Sequence, residues 1–175
     1  PTTRGPVRVG DLVPDFVLND MSGKPVCLSN LRKDAKVTLI LFWSYFCFPC
    51  QGEMPLIENL HRQEKETGLA VVAVSLDRLQ DENFVRPFLE KNNITFPVLY
   101  DRETVESYET AERFGVVGTP TIFILDDSGR VRFTHLGRLE PELLKGILSS
   151  VKSKSYCADI VKTVTTAPTG EETPR

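Results

Sequence analysis

No part of this 175-residue chain is apolar for long enough to cross a bilayer. Its longest such run, Val37 to Trp43, covers 7 residues, where a spanning helix needs about 20. No block of like charge is present either. The 24 acids and 21 bases are interleaved, for a net charge of -3, so there is no basic stripe for nucleic acid. Four cysteines are too few for a disulfide-held mini-protein, and only Cys47 and Cys50 are closely spaced. No internal repeat is present, and no segment from Pro1 on reads as a secretory leader. The chain begins at Pro1 instead of Met, and the expectation is a trimmed product that has lost an export signal or an N-terminal anchor.

The composition is that of an ordinary globular domain, 41% apolar and 26% charged, in a chain long enough to bury a core without staples. One domain is expected over residues 1–151, its N-terminal extension included. Residues 152–175 read as a tail, flexible at its end. Asp15 to Asn19 and Val26 to Ser29 flank a turn-rich segment and suggest a β-hairpin. Val37 to Trp43 fits a strand covered on both faces. Pro49 to Thr67 has helical spacing, with Met54, Ile57 and Leu60 on one side. Pro49 suits the first turn, while Pro55, further in, should kink the helix. Leu69 to Leu76 is a second buried strand, completing a βαβ unit with a right-handed crossover. A helix over Asp81 to Asn92, a strand over Thr95 to Tyr100 and a helix over Glu103 to Phe114 follow. Thr121 to Leu125 and Val131 to Leu136 form an antiparallel hairpin. A last amphipathic helix, Glu140 to Val151, turns Leu143, Leu144, Ile147 and Leu148 inward.

The chemistry concentrates at Phe46-Cys47-Phe48-Pro49-Cys50, just after a buried strand and at the start of a helix. Unpaired N–H groups and the positive end of the helix dipole favour a thiolate there, and the thiolate is the nucleophile. Two intervening residues let the second sulfur close a small, reversible disulfide on the first. A zinc site would need two further ligands. Only His61, His135, Cys27 and Cys157 are available, and they form no second close pair. The second signal is Gly118-Thr119-Pro120-Thr121, directly before an apolar strand. A proline opening a strand can be accommodated as a cis bond in a tight turn.

With Trp43 to Cys50, Glu53, Pro55 and Thr119-Pro120 in place, the sequence resembles the thioredoxin superfamily, and within it the TlpA/ResA-like thiol:disulfide oxidoreductases. The lead-in Gly10 to Phe16 and the segments Val71 to Ser75 and Thr121 to Asp126 extend the resemblance over roughly residues 10–150. It implies an α/β thioredoxin fold, a central mixed β-sheet flanked by helices, with an N-terminal β-hairpin and an inserted helix-strand segment. It also implies Cys47 as the exposed attacking thiol, Cys50 as the buried resolving thiol, and a cis Pro120 facing them. Trp43, Phe48, Pro49, Thr119 and Pro120 would then meet the substrate. In thioredoxins proper an acid precedes the Trp by two positions. Leu41 stands there in this chain, so Glu53, three residues after Cys50, is the expected proton acceptor.

Two departures flank the reactive sulfur: Phe46, where the family often has Trp, and the bulky Phe48. Cys27 and Cys157 lie outside the motif and could pair only if their Cα atoms came within about 7 Å. The implied function is an extracytoplasmic reductase of disulfides in exported proteins, apocytochrome c among the clients. A membrane thiol carrier would re-reduce it, and it would act as a monomer without cofactor, metal or nucleic acid. Two alternatives share the fold. A peroxiredoxin-like peroxidase would carry Pro and Thr where this chain has Ile40 and Ser44. A copper-binding module would need a later ligand, for which only His135, expected away from the site, is available.

Overall fold

The structure is a computed structural model and describes residues 5–154. The tail expected from residue 152 starts later, because the last helix runs on to Lys152, whose ammonium pairs with Glu64; residues 155–175, and with them Cys157 and any pairing with Cys27, lie outside the described residues. Among the described residues, seven strands form one sheet: β1 (Val17–Asp20), β2 (Pro25–Cys27), β3 (Val37–Trp43), β4 (Leu69–Ser75), β5 (Val98–Tyr100), β6 (Thr121–Asp126) and β7 (Val131–Leu136). Their order is β2-β1-β5-β4-β3-β6-β7. β3 and β4 run parallel, as do β4 and β5, whereas β6 lies antiparallel to β3. The helices are α1 (Leu28–Leu31), α2 (Phe48–Glu64), α3 (Glu82–Lys91), α4 (Glu109–Phe114) and α5 (Pro141–Lys152).

β3 is buried along its whole length, as its unbroken β-prone run requires. Its alternate residues enter two cores. Leu39, Leu41 and Trp43 pack with Met54 and Ile57 of α2, Val85 of α3, and Leu144 and Leu148 of α5. Ile40 and Phe42 pack on the other face with Phe16, Phe114 and Phe123. Within that second core the rings of Phe42 and Phe114 lie 5.2 Å apart and those of Phe114 and Phe123 also 5.2 Å apart, in the range where tilted aromatic pairs attract. The hairpin β1–β2 extends the sheet through β5. The lead-in is anchored to the start of β7: Gly10 N donates to Val131 O at 2.8 Å and Val131 N to Asp11 O at 2.9 Å.

Four details differ from the sequence reading. The strand expected from Thr95 starts only at Val98, because Thr95 bonds instead to Glu58 of α2. The Glu58 carboxylate accepts the Thr95 N–H at 2.8 Å and its hydroxyl at 2.6 Å. The helix expected from Glu103 starts only at Glu109. Residues 103–108 form a turn in which Thr104 N donates to Ser107 O at 2.8 Å. The Asp101 carboxylate then takes the N–H groups of Thr110 and Ala111 at 2.9 and 2.8 Å, fixing the helix start from outside it. Leu143 is exposed, not inward. The buried stripe of α5 is Leu144, Ile147, Leu148 and Val151, and Leu143 falls beside it. The short helix α1 was not anticipated.

Candidate active site

Cys47 ends the loop after β3 with extended backbone and is the N-cap of α2. Its carbonyl accepts the first helical hydrogen bonds, from Cys50 N at 3.0 Å and Gln51 N at 3.2 Å. The two cysteines are joined by a disulfide, with Cα atoms 5.3 Å apart. Cys50 is completely buried among the α2–β3 core residues, whereas Cys47 is partly exposed. One sulfur therefore meets solvent and the other does not. Among the described residues, no three His, Cys, Asp or Glu side chains gather as a metal-binding group.

The loop leading to Cys47 is held by the buried carboxylate of Asp77, just past the end of β4. It accepts the Ser44 hydroxyl at 2.6 Å, the Tyr45 N–H at 2.9 Å and the Ser75 hydroxyl at 2.7 Å. Gln51 Nε2 adds a bond to Tyr45 O at 2.7 Å, tying the loop to the first turn of α2. Neither Asp77 nor Gln51 was singled out in the sequence. The recoverable signal was an acid two residues beyond the end of a buried strand, next to the strand that carries the cysteines.

The Thr119–Pro120 bond is cis. Cys47 Sγ lies 3.3 Å from Thr119 O, so the turn abuts the outer sulfur. The turn is braced by Thr121 Oγ1 donating to Gly118 O at 2.6 Å and Gly137 N to Pro120 O at 2.8 Å. β6 pairs with β3 so that Thr121 faces Phe42, which brings Cys47 and Thr119, 72 positions apart in sequence, to one end of the sheet.

Glu53 lies on the buried face of α2 with Cys50, Met54 and Ile57 and is 1% exposed. Leu139 N donates to its Oε1 at 3.4 Å, and Arg138 Nε stands 3.7 Å from Oε2, too far for a hydrogen bond. Burial pushes the Glu53 carboxyl above the ordinary carboxylate range. The Leu139 N–H, Arg138 and His135 pull the other way without overcoming it. A carboxyl so placed can exchange a proton nearer neutrality than a free one. Arg138 also lies across Gly52: a methyl there would sit 3.5 Å from its guanidinium carbon. His135, expected away from the site, stacks on Phe133 within β7 and reaches the following loop, with Nε2 3.3 Å from Arg138 O.

Of the residues expected to meet a substrate, Phe48 is 85% exposed and Pro49 is also exposed. Trp43 is a correction: it has no exposed surface. It is the last residue of β3, where the loop to Cys47 departs, with its ring 5.8 Å from that of Phe88 and in one core cluster with Cys50, so its contribution is to support the site from within the core. The sequence reading also missed the aromatic residues that α3 brings to the cysteines. Phe84 and Phe88 are four residues apart on one side of that helix. Tyr45 stacks on Phe84 at 5.8 Å, and Phe46 packs edgewise against Tyr45 at 5.2 Å.

Residues 9–134 match the AhpC/TSA family. The thiol-disulfide oxidoreductase ResA of Geobacillus thermodenitrificans (strain NG80-2) is 32% identical over 151 residues, spanning 86% of this chain and 82% of that protein. The thioredoxin-like protein YneN of Bacillus subtilis (strain 168) is 33% identical over 134 residues, 76% and 74% of the two chains. A Chlorobium tepidum structure, described as a thiol:disulfide interchange protein DsbE, has a TM-score of 0.72 at 31% identity, covering 83% of this chain and 99% of that one. With its Cys47–Cys50 disulfide at the N-terminus of α2 and the cis Thr119–Pro120 turn against it, the chain belongs to the AhpC/TSA family of thioredoxin-fold proteins, among its ResA-like thiol:disulfide oxidoreductases.

Proposed function

We propose that this protein is a dithiol reductase acting outside the cytoplasm on disulfides of exported proteins, with the haem-attachment cysteines of apocytochrome c as one client class. The observation that carries this reading is the asymmetry of the pair: Cys50 is sealed in the core while Cys47 reaches the surface beside Thr119 O. Residues 1–151 act as one monomeric unit. The Cys47 thiolate attacks one sulfur of a client disulfide and forms a mixed disulfide, and the other client sulfur leaves as a thiolate that takes a proton. Cys50, having given its proton to Glu53, attacks Cys47 Sγ and expels the second client thiolate. Two electrons and two protons pass to the client, and the Cys47–Cys50 disulfide that results is reduced again by a membrane dithiol carrier. The chemistry needs no bound cofactor. Phe48, Pro49, Thr119 and Pro120 frame the client segment.

The deciding measurement is the reduction potential of the Cys47–Cys50 couple, by equilibration with glutathione. A value nearer that of thioredoxin, about -270 mV, than that of DsbA, about -120 mV, is expected; the reverse would make the protein an oxidant. The peroxidase alternative is disfavoured locally. Ile40 is buried within β3 and the Ser44 hydroxyl is engaged with Asp77, so neither is presented to a peroxide at Cys47.

A further inference from the structure

Beside the disulfide, between the first turn of α2 and the outer face of α3, lies an open groove of about 660 Å³. Tyr45, Phe48, Phe84 and Phe88 form its apolar wall, and Lys91 and Arg138 stand at its edges. Phe48 and Phe84 are 85% and 52% exposed, a concentration of bare aromatic surface that soluble proteins rarely leave without a partner. Aromatic and Arg side chains are also those that dominate binding energy at protein contacts. The charge is one-sided as well. In a chain where acids outnumber bases, 24 to 21, none of the residues lining this groove is acidic. A second groove of similar size, about 640 Å³, includes Asp20 and Glu90 in its lining and none of the site residues. The aromatic groove is also continuous with the reactive pair, because Phe48 lies between the two cysteines and Gln51 directly follows Cys50.

We propose that this groove selects clients: it takes an aromatic or large aliphatic side chain from the segment flanking the client's target cysteine, with a neighbouring Asp or Glu of that segment set against Lys91 and Arg138. The proposal rests on the thiol:disulfide reading above and adds the chemistry of the preferred substrate. The client sulfur must reach Cys47 Sγ, so residues next to it in the client chain are carried over Phe48 and into the groove. Burying the apolar side chain supplies attraction. The two cations supply register and a preference of sign, weakened by salt.

The test uses peptides closed by a single disulfide and identical except at the flank: Phe-Glu, Phe-Lys, Ser-Glu or Ser-Lys. Their single-turnover reduction by the reduced protein is followed alongside that of a small aromatic disulfide dye. The Phe-Glu peptide should react about tenfold faster than Ser-Lys, the range expected for one partly buried aromatic side chain. Its advantage over Phe-Lys should shrink as salt is raised. Lys91→Glu should reverse the order of Phe-Glu and Phe-Lys, and Phe84→Ser should bring the Phe and Ser peptides together. Equal rates for all four peptides, with the dye reduced normally, would overturn the groove proposal and leave the thiol:disulfide reading standing. Failure to reduce the dye or any peptide would overturn both.

Discussion

Ser44 and Asp77 are joined by a 2.6 Å hydrogen bond from hydroxyl to carboxylate across 33 residues of sequence. Through it, and through the Tyr45 N–H on the same carboxylate, the end of one strand fixes the loop that delivers Cys47. Asp77→Ala would leave two hydroxyls and a backbone N–H without their acceptor, a loss of about 1–3 kcal/mol. The reduction of a peptide disulfide should slow together with the loss of stability. Asp77→Asn keeps one acceptor oxygen and should lose less on both counts. Urea unfolding and single-turnover rates check this, and an Ala variant as stable and as fast as wild type would remove Asp77 from the account.

The two cysteines should be separable by reagent. In the reduced protein Cys47 is expected to alkylate first, because Cys50 has no exposed surface. Brief iodoacetamide treatment followed by mass mapping reads this directly. Cys50→Ala should accumulate a mixed disulfide with clients on non-reducing gels, since the intermediate then lacks its resolving thiol. Equal trapping by Cys47→Ala would reverse the roles.

Glu53→Gln separates the two steps of exchange. Attack by Cys47 should be little changed, while decay of the mixed disulfide should slow by roughly 10- to 100-fold, near the low end of general acid–base effects because water can substitute. Stability gives an independent reading. The folded protein holds this carboxyl above its ordinary value of 4.5, so Glu53 contributes most below that pH and its contribution is lost as pH rises through the folded value. Glu53→Gln should therefore gain on wild type as pH rises above 4.5. A constant difference between the two across pH would contradict the buried carboxyl.

Glu58 behaves with the opposite sign. Burial alone would raise its carboxyl, but the Thr95 hydroxyl and N–H, with Arg62, outweigh burial and hold it below 4.5. Its contribution is present above 4.5 and disappears as pH falls through the folded value. Glu58→Gln should thus cost stability at pH 7, by about 1–3 kcal/mol, and progressively less under acid. A loss independent of pH would mean that packing, not charge, is what Glu58 provides.

The reactive segment was legible because its signals are local. A β-prone run, a Cys-x-x-Cys and a proline in the first turn adjoin one another in Val37 to Cys50. The start of the second segment was legible for a similar reason, with Pro120 set against an apolar strand. What escaped depends on contacts across long sequence distances. Asp77 bonding to Ser44 and Glu58 bonding to Thr95 leave no periodic trace. Residues 103–108 read as helix because their composition suits one, yet Val105 is fully exposed and Asp101 sets the helix start from outside. Trp43 shows the converse limit. The family resemblance implied contact with substrate, while both faces of β3 are covered along its whole length, so Trp43 is buried whichever face it takes.

The ladder between β3 and β6 sets a mechanical tolerance. Shifting it by one residue would carry Thr119 about 3.4 Å along the strand, as much as the whole 3.3 Å gap between its oxygen and Cys47 Sγ. The same shift would exchange the two faces of β6, sending Ile122 and Ile124 into the core now filled by Phe123 and Leu125. A change of register therefore cannot adjust the gap, because it would dismantle both cores. Adjustment of that gap is left to residues 44–49 and 117–120, the short segments that connect to the ladder without belonging to it.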